Sequence, residues 1–188
     1  HFELFRELLM KWEKGGQRRF RFWSAACSSG EEPYTMALTL KEALASTQDA
    51  KILATDISTT ILESARRGEY EAKRLEQVPP GIMQRYFSKL HGTDPPVYRV
   101  ANDIQAMITF GRLNLSSPPF PMKGPLDVIF CRNVMIYFDN EVRCRLLEEM
   151  YRLLKPDGYL MVGHSESLSG MLSDFKIVEP SVYRKPKS

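Results

Sequence analysis

Phe20-Arg21-Phe22-Trp23-Ser24-Ala25-Ala26-Cys27-Ser28-Ser29-Gly30-Glu31-Glu32-Pro33-Tyr34 reads as a buried strand, a tight turn of small residues and a helix start. Two carboxylates stand where the turn opens. An open α/β fold presents backbone to a nucleoside ligand in this way, at the carboxyl end of its first strand. Acids here, in place of a lysine, disfavour a bare phosphate and suit a ligand with hydroxyls and a positive charge. The turn also lacks the three glycines of a dinucleotide fingerprint, which weighs against an NAD-dependent dehydrogenase.

Outward from this stretch the chain alternates strands and helices. Residues 1–14 carry Phe2, Phe5, Leu8, Leu9 and Trp12 at helical spacing, and Gly15-Gly16 closes that helix. The first strand runs over 19–25. Pro33 is expected at the first position of a helix over 34–46. A strand over 51–55 runs into Asp56, Ser58 or Thr59 caps the next helix, and Gly68 ends it. Residues 69–110 break the rhythm: Pro79-Pro80-Gly81 and Gly92-Thr93-Asp94-Pro95-Pro96 are turns, and Tyr98/Val100 and Ile108/Phe110 alternate. This region reads as a small antiparallel insertion. The near-continuous apolar run Leu126–Cys131 suits a strand buried on both faces. A helix from Asp139 or Asn140 to Leu154, a turn at 155–158, a strand over 159–162 and a hairpin over 175–184 complete the pattern. Such alternation argues for an open, mostly parallel α/β sheet.

The 188 residues fit one domain, or one domain with a small insertion. No apolar run approaches the roughly 18 residues of a membrane span. The amino-terminal stretch mixes Glu3, Arg6, Glu7 and Lys11 into its apolar residues, unlike a signal peptide. A chain opening at His1 is expected to be a fragment. Cys27, Cys131 and Cys144 offer neither a disulfide framework nor metal-ligand spacing, which favours a reducing cytosol and no metal. A net charge of +3 falls short of the basic stripe of a nucleic-acid binder. A monomer is expected.

Several residues are candidates for chemistry. Asp56 closes the second strand, and doubly wound folds place an acid about 20 positions past the first turn to accept ribose hydroxyls. Its plain alternative is a helix cap. Glu31 either contacts the ligand or, with Glu32, simply favours the helix dipole. Asn114 and Asn133 sit just past strand ends, where amides can pair with a ligand's polar edges or with their own turns. Tyr137 lies four residues beyond Asn133 and could present its hydroxyl or serve as core. Arg6 could equally be a surface arginine in a salt bridge.

Four segments carry a resemblance: 23–34, Ala54-Thr55-Asp56-Ile57, Phe130-Cys131-Arg132-Asn133-Val134-Met135-Ile136-Tyr137-Phe138-Asp139 and Gly163-His164-Ser165-Glu166-Ser167. In order and over nearly the whole chain, they resemble the bacterial chemotaxis receptor methyltransferases of the CheR family. The Asn133-centred motif is the most specific. The resemblance implies a Rossmann-like S-adenosylmethionine-dependent methyltransferase fold over 1–188, with a mostly parallel sheet, an edge hairpin and a small β-subdomain inserted at 69–110. It implies S-adenosyl-L-methionine as methyl donor, receptor glutamates as acceptors, and γ-glutamyl methyl esters with S-adenosyl-L-homocysteine as products. By resemblance Arg6, Glu31, Asp56, Asn114, Leu115, Arg132 and Asn133 contact the cofactor. Arg6 and Tyr137 would also serve catalysis, Arg6 reaching into the active site and Tyr137 lying near the transferred methyl. Phe2 stands where the family has a threonine, and Leu4 replaces one aromatic of its Phe-Phe-Arg run. The family's small helical amino-terminal domain, implicated in receptor contact, is expected to be absent.

The partner implied is the cytoplasmic region of methyl-accepting receptors. The insertion would either grip a receptor's carboxyl-terminal tail or act as a structural flap. A glutamate acceptor is ionised at neutral pH and needs no general base, which agrees with the lack of a Ser/His/Asp or Cys/His constellation. The rivals are a methyltransferase acting on a small molecule and a non-catalytic sensor or scaffold that binds S-adenosylmethionine or its product.

Overall fold

The computed structural model describes residues 1–166, 168, 170–171 and 174–187. Ser167, the last residue of the 163–167 motif, lies outside the described residues. In chain order the elements are α1 (Phe2–Lys14), β1 (Phe20–Ser24), α2 (Glu31–Ala43), β2 (Ala50–Asp56), α3 (Thr59–Arg67), β3 (Glu69–Glu71), α4 (Pro80–Tyr86), β4 (Phe87–Lys89) and β5 (Val97–Val100). There follow α5 (Asn102–Gln105), β6 (Ile108–Arg112), β7 (Leu126–Cys131), α6 (Asn140–Leu153), β8 (Leu154–Val162), β9 (Lys176–Glu179) and β10 (Val182–Arg184). No helix among the described residues is long and apolar enough to cross a membrane.

Seven strands form the main sheet in the order β6-β2-β1-β7-β8-β10-β9. The first five run parallel, and the terminal hairpin adds β10 antiparallel to β8. The chain therefore winds from β1 outward to β6 on one side, then returns to build β7 and β8 on the other. That reversal opens a crevice beyond the carboxyl ends of β1 and β7.

Period-2 alternation explains the apolar runs. Phe20, Phe22, Val128 and Phe130 pack with Phe5 and Leu9 of α1 and Met36 and Leu40 of α2. Trp23, Ile129 and Cys131 face the other way and pack with Leu146, Met150 and Leu153 of α6. Both faces of the sheet centre are thus covered, so neither β1 nor β7 can carry an outward polar stripe.

Three local expectations change. Helix α2 begins at Glu31, so Pro33 is its third residue, still within the first turn, where an N–H has no intrahelical acceptor to lose. Residues 155–158 are not a separate turn. Helix α6 runs straight into β8, because Asp157, at φ +67°, donates its N–H to Lys185 O at 2.9 Å and Lys185 N donates to Gly158 O. The antiparallel pairing of the insertion covers β3, β5 and β4 only, between residues 69 and 100. Ile108 and Phe110, read with the insertion, pair in parallel with Ile52 and Ala54 of the main sheet. Alternation marks a strand but not its neighbour.

Beneath the turn that follows β1, Trp23 Nε1 donates to Thr55 Oγ1 at 2.9 Å, and that hydroxyl donates to Ala25 O at 2.9 Å. Thr55 is 3% exposed. Thr55→Val keeps the shape and strands both partners, so urea unfolding should show a loss of about 1–3 kcal/mol. A variant as stable as the parent would show that this relay does not hold β2 to the turn.

Candidate active site

The polar groups of the crevice gather at strand ends and on the first turns of α2. The turn after β1 is left-handed at Ser28 (φ +49°) and Gly30 (φ +96°). A Cβ on Gly30 would stand 2.9 Å from the Tyr70 hydroxyl and 3.1 Å from the Ala65 Cβ, so both conformation and space require glycine. Tyr70 donates that hydroxyl to Ser29 O at 2.7 Å, bringing β3 of the insertion onto the turn.

A cleft of about 580 Å³ is lined by Cys27, Glu31, Glu32, Asp56, Arg132 and Asn133, among others. It thus unites four of the sequence candidates. Asp56 accepts from Ser28 N at 3.0 Å and Ser58 N at 3.1 Å, one bond on each oxygen. The helix cap is Ser58 itself, whose hydroxyl accepts from Ile61 N. Each Asp56 oxygen keeps acceptor capacity toward the cleft. Glu31 pairs with Arg74 of the insertion and accepts from Ser29 Oγ at 2.6 Å.

A groove of about 590 Å³ adjoins the cleft, sharing Phe2, Glu31 and Thr35 with it. Arg6 lies there with Arg74, and Arg6 forms no ion pair among the described residues, unlike the surface salt bridge considered above. Phe2 stacks on Phe130 with centroids 5.2 Å apart. The remaining candidates are not among the residues lining the cleft. The Asn114 side chain accepts from Ser116 N and Oγ in its own turn, Leu115 is 5% exposed in the core, and Tyr137 is 79% exposed on the short 3-10 turn Met135–Tyr137.

Two carboxylates carry more than the sequence disclosed. Glu32 accepts from Ser24 Oγ at 2.7 Å, and Arg132 Nη1 stands 3.6 Å away. Burial pushes its carboxyl up, opposed by the Ser24 bond and the Arg132 charge. As the second residue of α2 it turns inward while Glu31 turns toward Arg74, a split that an acidic doublet does not reveal. Glu166, 5% exposed, accepts from four backbone N–H groups, those of Gly163, Asn133, Val134 and Met135. Only its place in the 163–167 motif marked it in the sequence.

The residues present fit S-adenosylmethionine. Three carboxylates line one cleft with one arginine at the turn after β1, which suits a cationic ligand with ribose hydroxyls and an amino acid end. Sheet order and cleft together define an S-adenosylmethionine-dependent methyltransferase fold. A TehB-like SAM-dependent methyltransferase from Corynebacterium glutamicum superimposes with a TM-score of 0.53 at 12% identity, covering 96% of this chain and 87% of that one. The family model described as CheR methyltransferase, SAM binding domain, matches residues 1–184, and the chain belongs to that family. Relatives include chemotaxis protein methyltransferase 2 of Pseudomonas aeruginosa, 44% identical over 168 residues (89% of this chain, 60% of that protein). The chemotaxis protein methyltransferase of Salmonella typhimurium is 41% identical over 169 residues (89% and 59%). The chain spans about three fifths of the length of these relatives.

Burial, with the Asp56 charge, pushes the Cys27 thiol up to about 12, and burial pushes Tyr34 up to about 12 as well. Both stay protonated in the folded chain at pH values where an unfolded thiol (~8.5) and phenol (~10) have ionised. The folded state then binds more protons, so stability falls as pH rises from about 9 to about 12. Unfolding free energies across that range should decline, and Cys27→Ser should flatten the slope. An identical slope in the variant would remove Cys27 from the account.

Proposed function

We propose that this chain transfers a methyl group from S-adenosylmethionine to glutamate side chains in the cytoplasmic region of bacterial chemoreceptors, forming γ-glutamyl methyl esters. The observation that carries the reading is the convergence of Glu31, Asp56, Arg132 and Asn133 on one cleft, in a chain whose family is that of the chemotaxis methyltransferases.

Bound there, the cofactor supplies a methyl group on a positively charged sulfur with a neutral thioether to leave. Asp56 is assigned to the ribose hydroxyls, and Glu31, Arg132 and Asn133 to the amino acid end. The backbone beside Asn114 and Leu115 is assigned to the adenine side. The acceptor carboxylate is already ionised, so no residue of the chain has to move a proton. What remains for the chain is to align the acceptor oxygen and exclude water from it. Arg6, which lines the groove beside the cleft and forms no ion pair among the described residues, has the planar fork to orient a carboxylate. Too firm a grip would oppose the reaction, because the acceptor's charge disappears as the ester forms. Tyr137 is assigned to the acceptor side.

The chain is assigned to the cytoplasm as a monomer. Its small sheet leaves β3 and β4 as edges, which supports strand addition by a receptor's carboxyl-terminal tail.

Arg6→Ala should lower turnover on a receptor segment more than it lowers cofactor affinity, and equal loss of both would remove Arg6 from the acceptor side. Asp56→Ala should weaken S-adenosylhomocysteine binding by about 1.5–3 kcal/mol, as for a charge-assisted hydrogen bond. Calorimetry finding unchanged affinity in a folded variant would refute the ribose assignment. A chain that binds this product yet esterifies no receptor glutamate would be a sensor or scaffold instead.

A further inference from the structure

Glu166 meets no cation within ion-pair distance among the described residues; its charge is met by backbone. Gly163 N and Asn133 N donate to Oε2 at 2.7 and 2.9 Å, and Val134 N and Met135 N donate to Oε1 at 2.9 and 2.7 Å. Three consecutive N–H groups converging on one anion make a backbone nest. It forms where the chain leaves β7, with Asn133 at φ +59°. Asparagine is among the side-chain-bearing residues that enter the left-handed region most readily, and here the turn it makes aims three successive N–H groups at the carboxylate.

The chemistry of the pairing is selective. A carboxylate offers two oxygens and about four lone-pair sites, and all four are used. A carboxamide has one oxygen and would turn its own N–H groups against donors. The fourth donor, Gly163, directly follows β8, so Glu166 ties the loop after β7 to the loop after β8. A Cβ on Gly163 would stand 2.7 Å from both Asn133 Oδ1 and Glu166 Oε2, so the Asn133 side chain is held against the same glycine. Glu166 does not line the cleft; Asn133 does.

We propose that Glu166 is a positioning residue of the active site, acting from behind the cleft by fixing the backbone of Asn133–Met135 and thereby the place where the Asn133 amide meets the cofactor. The inference rests on the reading of Asn133 as a cofactor contact. A simple stitch between two strands is the rival account. Yet β7 and β8 are already paired from Val128–Tyr159 through Cys131–Val162, so the ladder does not need Glu166 to stay closed.

A double-mutant cycle on S-adenosylhomocysteine affinity, read by calorimetry, separates the two. Asn133→Ala and Glu166→Gln should each weaken binding about 10-fold or more, and the double variant should be no weaker than the worse single one, because Glu166 acts through Asn133. Amide exchange should show Asn133, Val134 and Met135 losing protection in Glu166→Gln while β7 and β8 keep theirs. Gly163→Ala, which crowds the same two side chains without removing a charge, gives a second route to the same loss should Glu166→Gln fail to fold. Unchanged affinity in a folded Glu166→Gln or Gly163→Ala variant, or losses that add in the double variant, would overturn the proposal. Normal binding by Asn133→Ala would overturn both the contact and the inference. Binding that follows the expected cycle in a chain that transfers no methyl group would overturn the proposed function and leave the positioning role standing.

Discussion

Burial of β1 and β7 on both faces is the constraint from which the rest of the molecule follows. With α1 and α2 packed on one side and α6 on the other, neither strand has a solvent face for a polar stripe. The buried polar side chains they do carry, Ser24 and Asp127, are tied to Glu32 and to Arg21 N and Lys155. Whatever the domain does must therefore happen at strand ends, where the chain leaves the sheet. The reversal of winding direction between β1 and β7 keeps the two departing loops from covering each other. The cleft is what remains open between them. Trp23, Thr55 and Ala25 close the floor beneath it by a side-chain relay that pairs the buried indole and hydroxyl.

Electrostatics at the cleft follow from the same geometry. Each carboxylate near it is met differently. Asp56 leans on backbone amides, Glu32 on a serine and an arginine, Glu31 on an arginine carried by the inserted segment, and Glu166 on four amides behind the wall. Fixed amide dipoles hold a negative charge in place without neutralising it, so Asp56 stays available to hydroxyls. The arrangement suits a cationic ligand and a reaction without proton transfer. The insertion is not independent of this, since Tyr70 and Arg74 both reach the turn after β1. A contact made on the small sheet thus lies one hydrogen bond from the turn after β1.

Much of this was legible in the residues. The strand–turn–helix of 20–34, the acid closing the second strand, the cap at Ser58 with its glycine stop at Gly68, and the buried run Leu126–Cys131 each depend on neighbours in sequence. Local chemistry specifies them: a β-branched or aromatic alternation, a side chain that caps, a glycine where φ is positive. The family resemblance drew on the same stretches, and membership in that family agrees with it.

What the residues could not disclose is which groups meet. Ile108 and Phe110 alternate as an antiparallel strand would, and only pairing with β2 places them in the main sheet. Residues 155–158 have turn chemistry, and only Lys185, brought in from the chain's end, draws them into β8. Glu31 and Glu32 are adjacent in sequence, yet one faces an arginine of the insertion and the other a buried serine. Glu166 lies more than thirty residues from the amides of Asn133 and its neighbours. The sequence by itself determined the strands, their order of succession and the acids at their ends, because those are set by short-range sterics and hydrogen bonding. The tertiary structure alone decided the partners of those acids and the shape of the cleft, because burial and charge compensation depend on groups that only the folded chain brings together.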